Sequence, residues 1–318
     1  MTPLAGQVLA LSGGVGGAKL CLGLSDCLPP GQLHIACNTG DDFQHLGLTI
    51  CPDIDTVLYT LSGRSDNAQG WGLAGETWHV LQALEGLEGD TWFRLGDRDL
   101  ATHLWRAGQL SSGVSLSAVT AELARRLGVV ARVYPMSDDP VPTQVQTDEG
   151  ELAFQTYFVR EQCRPQVRGF RFQGLDQARL QPELKALCTG ESLAGVIICP
   201  SNPFVSIDPM LQLDNFWQSL RECAVKVVAV APIVAGQALK GPAAKMLAEL
   251  GLPVTALGVA EHYARHYPGL VTTFVLDHSD ATLAPDIAAL GMEVQVRSTI
   301  MRERAAKQAL ANDCLELL

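Results

Sequence analysis

The stretch QVLALSGGVGGAKL, residues 7–20, decides how this chain is read. Gln7-Val8-Leu9-Ala10-Leu11 has the length and apolar content of a short buried strand. Ser12-Gly13-Gly14-Val15-Gly16-Gly17 follows as a glycine-rich turn, and a helical pattern opens at Ala18. A strand, a glycine loop and a helix N-terminus in succession build an anion site. Glycine lets the backbone approach a phosphate closely and adopt positive φ. The unpaired N–H groups of the first helical turn, with the helix dipole behind them, favour negative charge. Gly13, Gly14, Val15, Gly16, Gly17 and Lys19 are therefore the expected phosphate-binding residues.

The loop is neither of the two commonest phosphate motifs. A Walker A loop places Gly before its Lys and Ser or Thr after it. Here Ala18 precedes Lys19 and Leu20 follows, so the magnesium-binding hydroxyl is missing. A dinucleotide fingerprint needs a third glycine and an acidic residue at the tip of the second strand. Lys19 stands where that glycine belongs, and the second strand, 33–37, ends in Asn38-Thr39-Gly40. Kinase chemistry and NAD chemistry both lose support.

Composition narrows the class. The chain has 318 residues, 34 of them Asp or Glu and 23 Lys or Arg, for a formal net charge of −11. That balance argues against nucleic-acid binding. A phosphate ligand must then be held locally, by main-chain amides, by Lys or Arg, or through a metal. The nine cysteines show no C-x-x-C spacing, so they read as buried thiols of a reducing compartment. No leader pattern and no apolar span of about 18 residues is visible, so a cytoplasmic protein without a membrane partner is expected.

Short β-branched runs at 8–11, 33–37, 196–199, 225–230 and 273–276 read as buried parallel strands, with helical patterns at 242–250, 281–290 and 301–317. This alternation predicts an α/β fold, a Rossmann-like doubly wound, mostly parallel sheet. The middle differs. Consecutive helices are expected at 53–61, 76–84, 97–110 and 116–127. A hairpin follows, with strands 143–147 and 151–159 around Asp148-Glu149-Gly150. Residues 1–60 and 175–318 thus form the expected core, and 61–174 an inserted subdomain of helices and hairpin.

The polar clusters fall at strand ends, where open parallel sheets bind ligands. Asn38-Thr39-Gly40-Asp41-Asp42 follows the second strand, and Cys51-Pro52-Asp53-Ile54-Asp55-Thr56 lies shortly after. Carboxylates at this density beside a phosphate loop suit magnesium, which takes one or two carboxylates plus substrate phosphates. Asp41, Asp42 and Asp55 are the expected ligands, with turn-shaping as the second reading of Asp41 or Asp42. Two readings stand for Asp53 and Asp55, as site residues or as caps of the following helix. Gly70-Trp71-Gly72 and Trp78 offer aromatic surface, for a planar ligand or for a core. In Trp92-Phe93-Arg94-Leu95-Gly96-Asp97-Arg98-Asp99-Leu100-Ala101-Thr102-His103, Asp97 is placed to cap a helix. Arg94, Arg98 and His103 can meet phosphate or a sugar hydroxyl. Ser201 and Asn202, between Pro200 and Pro203, either present donors to a ligand or shape a rigid connection. Lys240-Gly241-Pro242 is a second anion site or a routine helix start.

Taken together, these blocks resemble the 2-phospho-L-lactate transferase family of coenzyme F420 biosynthesis, including its bacterial phosphoenolpyruvate variants, over nearly the whole chain. SGGVGGAKL, NTGDD, CPDIDTVLYTL, WFRLGDRDLATH, YPMSDDPV, PSNPFVSI, KGPAAK and GVAEHY carry the likeness, in order. The resemblance implies a transferase. It would move a phospho-three-carbon-acid unit (2-phospholactate, phosphoenolpyruvate or 3-phosphoglycerate) from a guanosine diphosphate-linked donor to the ribityl hydroxyl of the deazaflavin FO, releasing GMP. It further implies Mg2+, a homodimer, FO contacts at Asp55 and Arg94, and catalytic roles for Asp55 and Asp41. Asn38, Asp97, Ser201 and Asn202 join the implied ligand-binding set. The rival is a non-catalytic, nucleotide-sugar-binding regulator of the related gluconeogenesis-factor family, which shares the glycine-rich start and PSNP-like loops. WFRLGDRDLATH and the PDIDT aspartates match the transferase side.

Overall fold

Val8 and Ala10 pack into one core and Leu9 and Leu11 into another, and all four are fully buried. Burial on both faces marks a central parallel strand. In the computed structural model, which describes residues 5–66, 69–190, 192–238 and 241–318, this strand is an interior strand of a seven-stranded sheet, third from one edge. The strands are β1 (Gln7–Ser12), β2 (Leu33–Cys37), β3 (Arg132–Pro135), β4 (Leu193–Ile198), β5 (Lys226–Val230), β6 (Thr273–Asp277) and β7 (Glu293–Arg297). Their order is β3-β2-β1-β4-β5-β6-β7, and every pairing is parallel. This is the doubly wound order with one strand added at the far edge. The chain leaves β1 toward β2 in one direction and returns to β4 on the other side. The switch point therefore lies at the carboxyl ends of β1 and β4, where a ligand crevice is expected.

One face is covered by α1 (Gly14–Cys27), α2 (Pro52–Leu61), α5 (Leu116–Leu127) and the C-terminal helix Arg304–Glu316. The other is covered by helices between 182 and 288 and by a small antiparallel sheet. That sheet joins Thr143–Thr147, Gly150–Ala153 and Val167–Phe172. Between α2 and α5 lie α3 (His79–Gly86) and α4 (Asp97–Ser111). Among the described residues no helix is long and apolar enough to cross a membrane.

Two boundaries need correction. β3 lies inside the span 61–174 but pairs with β2 in the central sheet. That span is therefore two excursions, one before β3 and one after it, and not a single insertion. The second hairpin strand ends at Ala153, because Thr156–Arg160 coils into a wide helical turn instead of continuing as strand. Phe154 and Phe158, four residues apart, then stack on the same side with ring centroids 5.6 Å apart.

Candidate active site

The carboxyl ends of β1 and β4 open into a cleft of 670 Å³. Its floor is the glycine loop. Gly13 caps α1 in extended conformation, and Gly14, the first residue of the helix, has φ +65°. The glycines have two different reasons. A Cβ on Gly13 would lie 2.5 Å from the Ser206 Cβ, and one on Gly16 only 2.3 Å from the Pro200 carbonyl oxygen. Those positions are glycine because the 200–206 segment presses on them. At Gly14 a Cβ would meet nothing within 4 Å, so that backbone is open to a ligand. Val15, Gly16 and Lys19 also line the cleft. The N–H groups of Val15 and Gly16 belong to the first turn, which has no intrahelical acceptors.

Asp53 closes the loop from the side. Its Oδ1 accepts the Gly14 N–H at 2.6 Å, and its Oδ2 accepts the Asn38 amide at 2.9 Å. The same Asn38 nitrogen donates to Asp41 Oδ1 at 2.9 Å and to the Val205 carbonyl at 3.2 Å. Two hydrogens thus serve three acceptors. Asp41 and Asp53 both line the cleft and are 8 % and 3 % exposed. Burial pushes Asp53 up to about 6, against the opposing bonds from Asn38 and Gly14. Burial, then the neighbouring Asp53 charge, pushes Asp41 well above the usual carboxylate range. Two buried carboxylates converging on one amide form a hard-oxygen donor pair.

Asp55 also lines the cleft but has its own counter-charge. Arg106, fully buried on α4, donates from Nη2 to Asp55 Oδ1 and from Nη1 to Oδ2, the latter at 3.1 Å. Arg106 Nη1 also stands 3.1 Å from His103 Nδ1. A guanidinium has no acceptor, so a hydrogen bond here requires Nδ1 to accept and the ring proton to be on Nε2. Nε2 faces Asp99 Oδ1 at 3.3 Å, and Tyr59 donates to that same oxygen at 2.7 Å. Asp55, Asp99 and His103 offer ligand atoms within 4.8 Å of one another, but Arg106 supplies the positive charge there.

Aromatic side chains line the cleft as well. They are Trp71, Trp92, Phe93, Phe154 and Phe158, and the Arg94 guanidinium lies 4.6 Å above the Trp78 ring. Ser201, 3 % exposed, accepts the Gly13 N–H at 3.0 Å and faces the cleft. Asn202 faces it too, while its side chain accepts the Phe204 N–H at 3.0 Å.

Five expected ligand contacts do not line the cleft. Asn38 is fully buried and orients Asp41 and Asp53. Asp42 turns to Cys51, and burial pushes its carboxyl well up. Asp97 accepts from the backbone of His79 at 3.0 Å and of Val80 at 3.1 Å, so it caps α3 and not the helix it begins. In exchange Glu76 caps α4, accepting from Arg98 and Asp99 N–H at 2.8 Å each. Gly17 lies beneath the loop, where a Cβ would meet Ser12 Oγ at 2.5 Å. Arg98 ties down the Ala74 carbonyl at 3.0 Å. Lys240 lies outside the described residues. Arg106 escaped the sequence reading. Its signal was the spacing Asp99, His103, Arg106, which is one face of a helix.

A second hollow of 910 Å³, lined by Phe170, Phe204, Asp208 and His262, contains none of the expected site residues.

Comparison with known proteins agrees with this geometry. The family model described as 2-phospho-L-lactate transferase CofD matches residues 8–309. A phosphoenolpyruvate transferase of Streptomyces griseus is 37 % identical over 317 residues, covering 98 % of both chains. A 2-phospho-L-lactate transferase of Methanosarcina mazei is 35 % identical over 304 residues, covering 96 % of this chain and 98 % of the other. Among solved structures, a member of the upf0052 family from Bacillus halodurans shares the fold with a TM-score of 0.61. It is 15 % identical, over 94 % of this chain and 93 % of the other. With a glycine loop, a carboxylate pair and an aromatic wall in one cleft, and a family match across nearly all of its length, the chain belongs to the 2-phospho-L-lactate transferase family.

Proposed function

We propose that the protein transfers a phospho-three-carbon-acid unit from a guanosine diphosphate-linked donor to the terminal ribityl hydroxyl of the deazaflavin FO, in coenzyme F420 biosynthesis. The observation that carries this reading is the shared cleft, which brings anion-binding backbone, carboxylates and aromatic side chains together in its lining. The glycine loop and Lys19 hold donor phosphate, and Ser201 and Asn202 border the nucleotide. The aromatic wall and Arg94 take the planar acceptor, because ring faces and guanidinium planes stack on heterocycles.

Asp41 and Asp53 are the residues that would hold Mg2+, with Asn38 setting their direction. When bound, the ion neutralises diphosphate charge and the charge that develops on the leaving phosphate. Asp55 receives the ribityl hydroxyl. The hydroxyl oxygen forms a bond to the phosphorus bearing the three-carbon unit, and the bond from that phosphorus to the bridging oxygen breaks. GMP departs with the bridging oxygen and the electron pair, and the hydroxyl proton passes to Asp55. A carboxylate suffices for this step, because in loose phosphoryl transfer the proton moves late.

Binding tests the reading directly. FO fluorescence is titrated with protein, in parallel with a nucleotide sugar and NAD. Saturable FO binding is expected. A protein that binds the nucleotide sugar and leaves FO untouched would instead be the regulator of the related family. Turnover adds a second check. Asp55→Asn, which keeps the side chain's shape beside the buried Arg106, is expected to lose most transfer, and near wild-type transfer would remove Asp55 from its role.

A further inference from the structure

We propose that Arg106 is the positioning residue for Asp55, and that α4 couples the aromatic wall to the acceptor hydroxyl through it. The proposal rests on the function proposed above. Three observations carry it.

First, the clamp is two-pronged. Both Asp55 oxygens accept from Arg106, one from each terminal nitrogen. A bidentate pair fixes the plane of a carboxylate as well as its position, which a single bond does not. Asp55 lines the cleft, so its plane decides where a hydroxyl can approach.

Second, Arg106 is itself held. It is fully buried, and its Nη1 also reaches the Thr49 carbonyl at 3.3 Å and His103 Nδ1 at 3.1 Å. His103 can receive that bond only as the tautomer protonated on Nε2, which Asp99 faces at 3.3 Å. Asp99 is fixed in turn by the Tyr59 hydroxyl at 2.7 Å.

Third, Asp99, His103 and Arg106 are spaced i, i+4 and i+7, so α4 presents them on one face. The segment just before that helix supplies Trp92, Phe93 and Arg94 to the cleft wall. One continuous stretch of chain, the 92–96 segment and the helix it enters, therefore carries both the surface offered to the planar acceptor and the group that aims Asp55. Alignment of a hydroxyl with its target phosphorus is where transferases gain much of their rate.

The test is a double-mutant cycle in the full-length protein: wild type, Asp55→Asn, Arg106→Gln and the double variant, with kcat and both KM values measured. A residue acting only through Asp55 gives non-additive losses. Arg106→Gln is expected to lower kcat by about 100-fold with donor KM within about twofold. The double variant should be no slower than Asp55→Asn alone, and Arg106→Lys, which keeps the charge without the fork, should recover only part of the rate. Losses that multiply in the double variant overturn the proposal, as does a folded Arg106→Gln protein with wild-type kcat. Should Arg106→Gln fail to fold because Asp55 is left unpaired, the double variant, which removes both charges, and Arg106→Lys still decide. In that case a double variant much slower than Asp55→Asn, or a fully active Arg106→Lys, overturns the proposal. An inactive wild type would sink the proposed reaction instead, a failure distinct from any outcome of the cycle.

Discussion

Asp53 sits where water cannot hydrate its charge, and two donors do not make up the loss. Its carboxyl titrates at about 6 instead of its ordinary 3.8. The folded protein therefore binds a proton that the unfolded chain has released. The stabilisation from that proton is complete below about pH 4 and is lost as pH rises through about 6. A divalent cation between Asp41 and Asp53 would offset that loss, in competition with protons. Added magnesium should raise Tm at pH 7.5, and the rise should shrink as pH falls through 6; scanning calorimetry would expose an equal rise at pH 5 as contradiction. Arg94 offers a second test at this scale. It is exposed and rests on Trp78, so Arg94→Ala should weaken FO binding by about tenfold and leave Tm nearly unchanged. An unchanged FO affinity would make Arg94 structural. Asp41, Asp55 and Arg94 were legible in the sequence as polar groups at strand ends and beside an aromatic pair. Asn38 was legible as polar but not as inward-turned, and Asp97 was legible as a cap but assigned to the helix it begins instead of α3. Both roles depend on partners far along the chain or on a neighbouring helix, and spacing within one segment does not reveal those.

Elements show the same division. The buried strands at 8–11, 33–37, 196–199, 225–230 and 273–276 were readable because both faces are apolar and the runs are continuous. β7 reads EVQVR and is only half-buried along most of its length, since it is an edge strand with polar residues interleaved. β3 ends in Pro135 and flanks helices, which hid it. The glycine loop was read for phosphate approach, and its surroundings add a packing reason. Gly16→Ala would drive a methyl into the Pro200 carbonyl, which the 200–206 segment cannot yield without moving. Such overpacking should lower stability by about 1–3 kcal/mol, seen as a fall in urea midpoint; an unchanged midpoint would mean that the segment shifts freely. Asp97→Ala removes the acceptor for the first N–H groups of α3. Hydrogen exchange over 79–86 should quicken while β1 stays protected, and equal protection in both forms would contradict the capping role.

At the scale of the whole molecule, the doubly wound order puts two loops from distant parts of the chain in contact. Gly13 bonds to Ser201 across 188 residues of sequence. The helical excursion between β2 and β3 brings the aromatic wall, and the 154–162 segment adds Phe154 and Phe158 from the other excursion. The α/β class and its parallel sheet were legible from alternation alone. The split of the middle region was not, because one short edge strand decides it. Nor do periodicity and spacing indicate a deazaflavin; that step comes from family likeness.

The most direct measurement incubates purified protein with FO, magnesium and each of three guanosine diphosphate-linked donors, carrying phospholactate, phosphoenolpyruvate or phosphoglycerate. Products are identified by mass spectrometry. A phosphodiester-linked FO with one equivalent of GMP is predicted for at least one donor, and the preferred donor names the acid. Folded protein that yields neither product from any of the three would contradict the account.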